Sequence, residues 1–248
     1  MRYTFLLFSL CLAFIGLQSC RNASTSHKRN HSQYGGYDNS SKNRTSRNKT
    51  HISGVKIQDS RNKKLDGASI YKMYNTAVFM VFTSDGVKGY QGSGFFIDAR
   101  GLAVSNYHVF EGTNIGNEQI KLPGSDNLYK VTDVIFKNKE CDFIIFRVNV
   151  PQSNFIPLAK ERPQVGEKVY AIGSPRGLEN TFSSGEVSQW RDTNLMQISA
   201  LIDHGSSGGA LINEYGAVVG ITSGSFYDGS QANLNYAWSI EVIKECLR

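Results

Sequence analysis

Residues 198–221 read ISALIDHGSSGGALINEYGAVVGI, and this stretch decides how the rest of the chain is interpreted. An apolar run ends at Asp203-His204, five small residues follow at 205–209, and apolar residues then resume. Glycine permits the unusual dihedral angles of a tight turn, and small residues let another chain come close. The stretch therefore predicts a tight turn between two buried segments, with room for another chain to come close.

A serine hydroxyl in such a turn becomes a nucleophile only where a base takes its proton and donors hold the oxyanion that forms. Gly205 and Ser207 are candidates for two backbone N–H donors, and Ser207 is the candidate for the attacking oxygen. The alternative for GSSGG by itself is a glycine-rich hairpin turn without chemistry.

The chain has five histidines, of which three lie in a polar N-terminal segment and His204 lies at the turn itself. His108 follows an apolar run in GLAVSNYHVFEG (101–112), which makes it the candidate base. Asp142 heads the strongly apolar run in ECDFIIFRV (140–148), where a buried charge needs a partner, so it is the candidate orienting carboxylate. The alternatives are a polar residue at a strand end and an Asp that marks a turn.

Charge is divided unevenly along the 248 residues. Residues 21–64 carry 11 Lys/Arg against two Asp/Glu, whereas residues 65–248 carry 15 against 19. Residues 21–64 have almost no aliphatic side chains and cannot offset the entropy of ordering, so we expect a basic disordered tether. Its cations could contact anionic lipid or nucleic acid, but a soluble spacer is favoured because no folded module presents a basic face. We expect no specific nucleic-acid partner.

The first 20 residues, MRYTFLLFSLCLAFIGLQSC, are typical of an export signal. Their apolar stretch from Phe5 to Leu17 is shorter than the roughly 20 residues that span a bilayer. The ending LQSC resembles a bacterial lipobox, in which the cysteine, here Cys20, is lipidated and becomes the first mature residue. We expect a membrane-anchored lipoprotein of a bacterial envelope; the alternative is an ordinary cleaved signal and a periplasmic or secreted protein. Cys141 and Cys246 are then the remaining disulfide candidates, and two buried thiols are favoured.

From about Leu65 the chain consists of short apolar runs separated by Gly, Asp and Asn. Many are rich in Val, Ile, Phe and Tyr, and their short spacing is typical of an all-β sandwich or barrel. The segment SIEVIKECL (239–247) favours a closing helix.

Five segments together resemble the trypsin-like serine peptidases, and most closely their HtrA group. They are QGSGFFIDARGLAVSNYHVFEG (91–112), CDFIIFRV (141–148), GEKVYAIGSPRGLENTFSSGEVS (166–188), the opening stretch and LNYAWSI (234–240). The order His, Asp, Ser is also that of the family. For residues 65–248 the resemblance implies an all-β fold of two packed six-stranded barrels, with a catalytic triad in the cleft between them.

The resemblance also implies roles for matching positions. His108 would be the general base and acid, Asp142 its orienter and Ser207 the nucleophile, with Gly205 and Ser207 N–H groups as the oxyanion hole. Ser206 falls at a variable position and receives no role. No metal or cofactor is expected, the expected partners are polypeptide substrates, and the oligomeric state is left open.

The pocket for the residue before the scissile bond would be walled by Leu201 and Ile202 and by the later strand at Ile221, Thr222 and Ser223. None of these is acidic, so a buried Lys or Arg of the substrate would lack a partner. We therefore expect cleavage after medium aliphatic residues in unfolded or extended segments. Asp203 would defeat this expectation if its side chain turned into the pocket.

One departure from the family pattern and two alternative functions have to be considered. The HtrA pattern usually continues into a peptide-binding PDZ domain, which we do not expect because the sequence ends at Arg248. A catalytically silent binding or scaffold protein on the same fold is the main alternative function, although no triad residue is missing. An esterase is less consistent with the sequence, because such enzymes carry Gly-x-Ser-x-Gly at a strand-to-helix turn.

Overall fold

A computed structural model describes residues 54–59, 63–113, 116–226 and 234–247. The predicted export signal at 1–20, the predicted lipidation residue Cys20 and most of the predicted tether lie outside the described residues.

The first barrel follows a short strand and a helix. The elements in chain order are β1 (Ile57–Gln58), α1 (Gly67–Tyr74), β2 (Val78–Ser84), β3 (Gly89–Phe96), β4 (Leu102–Ser105), β5 (Gln119–Lys121), β6 (Leu128–Asn138) and β7 (Phe143–Val148). Strands β2 to β7 form a closed antiparallel barrel in the order β2-β3-β4-β7-β6-β5, because β2 pairs with both β3 and β5.

The second barrel is built from the rest of the chain. Its elements are β8 (Leu158–Ala159), β9 (Lys168–Gly173), β10 (Thr181–Trp190), β11 (Leu195–Ile198), β12 (Ala210–Asn213), β13 (Val218–Phe226), β14 (Leu234–Ser239) and α2 (Glu241–Lys244). Six of these strands follow one another as β13-β12-β9-β10-β11-β14, and the pairing of β13 with β14 closes the ring. The two six-stranded barrels and the short closing helix confirm the predicted fold.

The uninterrupted apolar runs of the sequence have a simple structural cause. In β7, Ile144 and Phe146 point into the first barrel, whereas Phe143 and Ile145 join an apolar layer that also contains residues of the second barrel, such as Ile172. Successive side chains of a strand point to opposite faces, so a strand with two covered faces needs apolar residues at every position. The layer between the barrels is therefore encoded by the same strands that fill the first barrel.

Strand β1 corrects the predicted extent of the tether. Ile57 and Gln58 lie within the predicted disordered segment 21–64, yet they pair in parallel with Leu158 and Ala159 of β8. The Gln58 side-chain amide also donates to the carbonyl oxygen of Tyr215. Val55 packs against the apolar layer. This short segment is ordered because β8 offers it an open edge and the barrel surface covers its aliphatic side chains.

Cys141 is buried and Cys246 is partly buried, and no disulfide joins these two residues. Burial raises the pKa of the Cys246 thiol. Within the described residues, no helix has the length and apolar character that crossing a membrane requires.

Candidate active site

His108 is held by a single carboxylate at two points. It lies in the one-turn 3-10 helix Tyr107–Val109 that follows β4. Its ring Nδ1 is 2.8 Å from Oδ2 of Asp142, and its backbone N–H donates to Oδ1 of the same residue at 2.9 Å. A carboxylate facing Nδ1 favours the tautomer with the proton on Nδ1, which leaves Nε2 as an acceptor. The His108 side chain is 44% exposed, so the ring remains accessible to solvent and to a substrate.

Asp142 is itself fixed by three neighbours. Its backbone has a φ of 45°, an unusual value for a residue with a side chain. The Asn106 side-chain amide donates to the Asp142 carbonyl at 2.8 Å, and the Ser223 hydroxyl donates to Asp142 Oδ2 at 2.9 Å. Oδ2 therefore faces both His108 and Ser223. This environment sets the direction of the carboxylate independently of any bound molecule.

Residues 203–209 form a turn that we call the nucleophile turn, after the role predicted for Ser207, and it reaches the same place from the second barrel. Ser207 lies in the turn between β11 and β12. Its carbonyl accepts the N–H of Ser93, a residue of β3, at 2.8 Å. A Cβ atom added to Gly224 would lie 3.7 Å from the Ser207 hydroxyl oxygen, and Gly224 follows the residue that bonds Asp142. Ser207 is thus a neighbour of the group that orients the carboxylate.

Gly92 links the His108 turn to the Ser207 turn. A Cβ atom at Gly92 would be 2.7 Å from both methyl groups of Val109 and 3.2 Å from the Ser207 carbonyl oxygen. The structure therefore brings the segments that carry His108, Asp142 and Ser207 close together, and we call this region the cleft. Among the described residues, no hydrogen bond joins His108 Nε2 to the Ser207 hydroxyl; such contacts often tighten only when substrate binds.

The two glycines that flank the serines are required by close packing. Gly205 has a φ of +93° and Gly208 a φ of +88°, both in the region that favours glycine. A Cβ atom at Gly208 would lie 2.2 Å from the carbonyl oxygen of Ser93, and one at Gly205 would lie 2.8 Å from that of Ser174. The turn is built from small residues because the backbone of both barrels presses against it.

The Gly205 N–H has no protein acceptor within the described part of the chain. The carbonyl of the same peptide group, that of His204, accepts the Arg176 N–H at 2.7 Å. A trans peptide is planar, so its N–H points opposite to its C=O. Arg176 therefore determines that the Gly205 N–H points away from the β9–β10 loop, which comprises residues 174–180.

The Ser207 N–H is fixed in the same manner and also has no acceptor among the described residues. Its peptide carbonyl, that of Ser206, accepts the Gly209 N–H at 2.9 Å and the Thr222 hydroxyl at 2.7 Å. Two backbone donors are thus unused and set in direction by the partners of their carbonyl groups. This arrangement suits a developing negative charge on oxygen.

Ser93 connects the first barrel to this turn. It is fully buried, and its hydroxyl donates to the Gly205 carbonyl at 2.7 Å while accepting the Ser174 N–H at 2.9 Å. Its carbonyl accepts the Ser105 hydroxyl at 2.7 Å. Sequence reasoning did not single out Ser93 or Asn106 as functional, and it placed Thr222 only in the wall of the substrate pocket. The only signal for Ser93 and Asn106 is that each is a small polar residue within an apolar strand or at its end.

The two neighbouring serines have different surroundings. Ser206 is 6% exposed, and it packs against Gly173 of β9, where an added Cβ would be 3.3 Å from the Ser206 Cβ. Ser207 lies on the side of Ser93 and Gly224 instead. Only Ser207 lies beside the residues that surround Asp142.

The predicted substrate-binding residues are distributed over three environments. Leu201, Ile202 and Thr222 line a cavity of about 810 Å³, whereas the Ile221 side chain is fully buried in the apolar layer and Ser223 bonds Asp142. Further lining residues include Gly173, Arg176, Leu178, Phe182, Asp203 and Ser206. The cavity thus lies on the side of the turn to which the His204 carbonyl points.

No group of three or more His, Cys, Asp or Glu side chains is arranged to hold a metal ion in the described residues.

Comparison with known proteins gives consistent results. A family described as trypsin-like peptidase domain matches residues 92–221, just over half of the chain. The chain is similar to Protease Do-like 1, chloroplastic, of Arabidopsis thaliana, with 30% identity over 61% of this chain and 36% of that protein. It is also similar to Serine protease HTRA2, mitochondrial, of Drosophila grimshawi, with 28% identity over 72% of this chain and 43% of that protein. The chain therefore spans less than half the length of these relatives.

Among solved structures, the chain is similar to the serine endoprotease from Yersinia pestis. The TM-score is 0.65 at 22% identity, over 75% of this chain and 68% of that chain. This likeness concerns the fold.

Proposed function

Because the chain belongs to the trypsin-like peptidase family, we propose that it is a serine endopeptidase that hydrolyses peptide bonds of unfolded or extended protein segments. The observation that carries the proposal is the hydrogen bonding of Asp142, whose two carboxylate oxygens hold the ring and backbone of His108. That contact leaves Nε2 of His108 directed away from the carboxylate, and Val109 and the Ser207 carbonyl both lie close to Gly92. The names of the relatives, which are proteases, agree with this function.

The proposed reaction has two halves. The Ser207 hydroxyl attacks the substrate carbonyl and passes its proton to His108 Nε2, and the oxyanion that forms accepts the Gly205 and Ser207 N–H groups. His108 then gives this proton to the departing amine, which leaves an acyl group on Ser207. In the second half a water molecule loses a proton to His108 and attacks the acyl group, and the new carboxylic acid leaves as Ser207 regains its proton. Asp142 stays ionised and stabilises the protonated ring.

The decisive experiment compares the two adjacent serines. Purified wild-type protein, Ser207→Ala and Ser206→Ala are incubated with denatured casein and, separately, with a fluorophosphonate probe. We expect Ser207→Ala to lose proteolysis by about 10⁵-fold and to lose labelling, because the nucleophile is gone. Ser206→Ala is the matched control and keeps most of both activities, since its side chain packs on Gly173. Labelling that depends on Ser206, or none with wild type, would contradict the proposal.

We propose that the residue before the scissile bond is a medium aliphatic one. Asp203 also lines this cavity, but its carboxylate pairs with Arg176 Nε at 2.8 Å. With that charge already paired, a substrate Lys or Arg gains no partner, whereas burial of a Val or Leu side chain is worth roughly 1–3 kcal/mol. Sequencing the cleavage sites in the casein digest tests this, and a dominant preference for Lys or Arg would contradict it.

We also propose that the protein acts outside the cytoplasm, anchored through lipidated Cys20. The support is the sequence of residues 1–20, with its apolar stretch and LQSC ending. Cys20→Ser should move the protein from the membrane fraction to the soluble fraction while proteolysis is unchanged. Mass spectrometry of the mature N-terminus provides the second measurement, and an unmodified N-terminus at any other residue would exclude the lipid anchor.

A further inference from the structure

The orientation of the Gly205 N–H depends on a residue from a different loop. Within the described residues, the carbonyl that shares its peptide group, that of His204, accepts one donor, the Arg176 N–H at 2.7 Å. The corresponding peptide of Ser207 has two such donors on its carbonyl. The Gly205 half of the oxyanion site is therefore the less constrained of the two.

Arg176 has an unfavourable backbone conformation at this contact. Its φ of 52° and ψ of 28° lie in the left-handed region, which costs free energy for a residue with a side chain. A residue keeps such a conformation only where its surroundings hold it. The surroundings here include the backbone bond to His204 and an ion pair, in which Arg176 Nε lies 2.8 Å from Oδ2 of Asp203.

Asp203 joins this ion pair to the nucleophile turn itself. Its other oxygen, Oδ1, accepts the backbone N–H of His204 at 2.7 Å. One carboxylate thus contacts the Arg176 side chain and the residue whose carbonyl accepts the Arg176 N–H. The His204 N–H, followed by the Arg176 guanidinium, holds the pKa of Asp203 below its usual value, so the carboxylate is charged near neutral pH.

The rest of the β9–β10 loop is attached to the first barrel. Glu179 accepts hydrogen bonds from Lys121 Nζ at 2.9 Å and from the Gly124 N–H at 3.1 Å. The Gln91 side-chain amide donates to the Ser174 carbonyl at 2.9 Å. The loop is therefore anchored on both sides of Arg176, and Arg176 extends from it toward the nucleophile turn.

We propose that Arg176 and Asp203 are positioning residues for the oxyanion site, and that their ion pair keeps the Gly205 N–H directed toward the reacting carbonyl. This inference rests on the proposed peptidase function. We call the pair the Arg176–Asp203 latch. When the latch is broken, the peptide between His204 and Gly205 is free to rotate, and its carbonyl takes the place of the N–H.

The latch affects turnover and leaves the fold intact. Both side chains are well exposed, at 73% for Arg176 and 43% for Asp203, and exposed ion pairs contribute little to stability. Losing one oxyanion donor completely lowers kcat by about 10²–10³-fold. Because a rotating peptide still presents its N–H part of the time, we expect the loss on breaking the latch to be smaller, about tenfold or more.

The test uses the full-length protein with Arg176→Met, Asp203→Asn and the double variant. Lys64→Met is the matched control, because Lys64 forms a similar exposed ion pair with Glu214 at 2.8 Å away from the nucleophile turn. For each variant, kcat and KM are measured on a peptide taken from a casein cleavage site. Inhibition constants are measured for a peptide boronate, whose oxygen occupies the oxyanion site, and for the matching peptide amide, which lacks that oxygen.

We expect both single variants to lower kcat and weaken boronate binding by about tenfold, with KM and amide binding changed by less than about twofold. The double variant should be no worse than either single variant, since the two residues act as one unit. Lys64→Met should match wild type. Single variants with wild-type kcat and boronate binding would overturn the latch, as would losses that follow a lowered melting temperature. Wild type that neither cleaves casein nor takes the fluorophosphonate would instead overturn the proposed function, and the latch with it.

Discussion

At the scale of single residues, the candidate site depends on His108, Asp142 and Ser207. It depends equally on the hydrogen bonds that fix the backbone carbonyl groups of the turn around Ser207. The Ser206 carbonyl shows this most directly, because its peptide carries the Ser207 N–H. Its side-chain donor, Thr222, is 1% exposed and comes from β13. A buried carbonyl that loses one donor keeps its other partner but is free to tilt, and the N–H of the same peptide tilts with it.

Thr222→Val is predicted to reduce kcat by about tenfold with little change in KM, because it replaces the hydroxyl donor by a methyl group of similar size. The effect is smaller than loss of the nucleophile since the Gly209 N–H still bonds the Ser206 carbonyl. Thr222→Ser keeps the hydroxyl and serves as the matched control, with kcat near that of wild type. Steady-state kinetics and a melting curve for each variant provide the measurement, and equal kcat values for the Val and Ser variants would contradict it.

The sequence leads to some of these residues and not to others. His108, Asp142 and Ser207 stand in motifs whose neighbours are close in the chain, so local pattern and family resemblance suffice to propose them. Ser93 is not predicted from the sequence, and Ser223 is predicted only as part of the pocket wall; both make hydrogen bonds to residues far away in sequence, at Gly205 and Asp142. Such contacts depend on how the barrels pack, and a small polar residue in an apolar strand does not reveal its partner.

At the scale of elements, β3 separates the turn that carries His108 from the turn that carries Ser207. Gly92 occupies this position, where an added Cβ would lie 2.7 Å from both methyl groups of Val109. A side chain here pushes on the residue next to His108 and on the backbone of Ser207 at once. The spacing of the His108 and Ser207 turns therefore requires that residue 92 has no side chain.

Gly92→Ala is predicted to destabilise the protein by about 1–3 kcal/mol, as overpacked sites do, and to lower kcat by displacing the His108 turn. Val109→Ala in the same chain removes the two methyl groups involved, so the double variant should recover part of both losses. Chemical unfolding and kinetics of the two single variants and the double variant measure this coupling. Losses that simply add would show that the Val109 contact is not the cause.

The elements also show where pattern reasoning fails. The long apolar strands are evident in the sequence because both of their faces are covered. Strand β1 is not, because two residues, Ile57 and Gln58, flanked by charged and polar neighbours give no periodic signal. Its order comes from the open edge of β8 and from the surface that covers Val55, and both are properties of the folded barrel.

At the scale of the whole molecule, neither barrel holds a complete site. The first barrel supplies His108, Asp142 and Ser93, and the second supplies Ser207 and Ser223. The apolar layer that joins the barrels and the hydrogen bonds of Ser93 hold these groups together. The resemblance could predict a cleft between two barrels, but it could not predict that one buried serine of β3 would contact both the nucleophile turn and the β9–β10 loop.

The short pairing of β1 with β8 is the contact that a pull on the N-terminal end of the chain would separate first. Any tension applied through the chain before residue 54 reaches the folded body first at β1. There the load falls on few bonds, among them the backbone contacts of Lys56 with Leu158 and of Gln58 with Lys160, at 2.8 and 2.9 Å. The segments that carry His108, Asp142 and Ser223 bear this tension along the chain only after β1 has peeled away from β8. If the protein is held by its N-terminal end, it can thus lengthen by several residues under a pull while His108, Asp142 and Ser207 keep their relative positions.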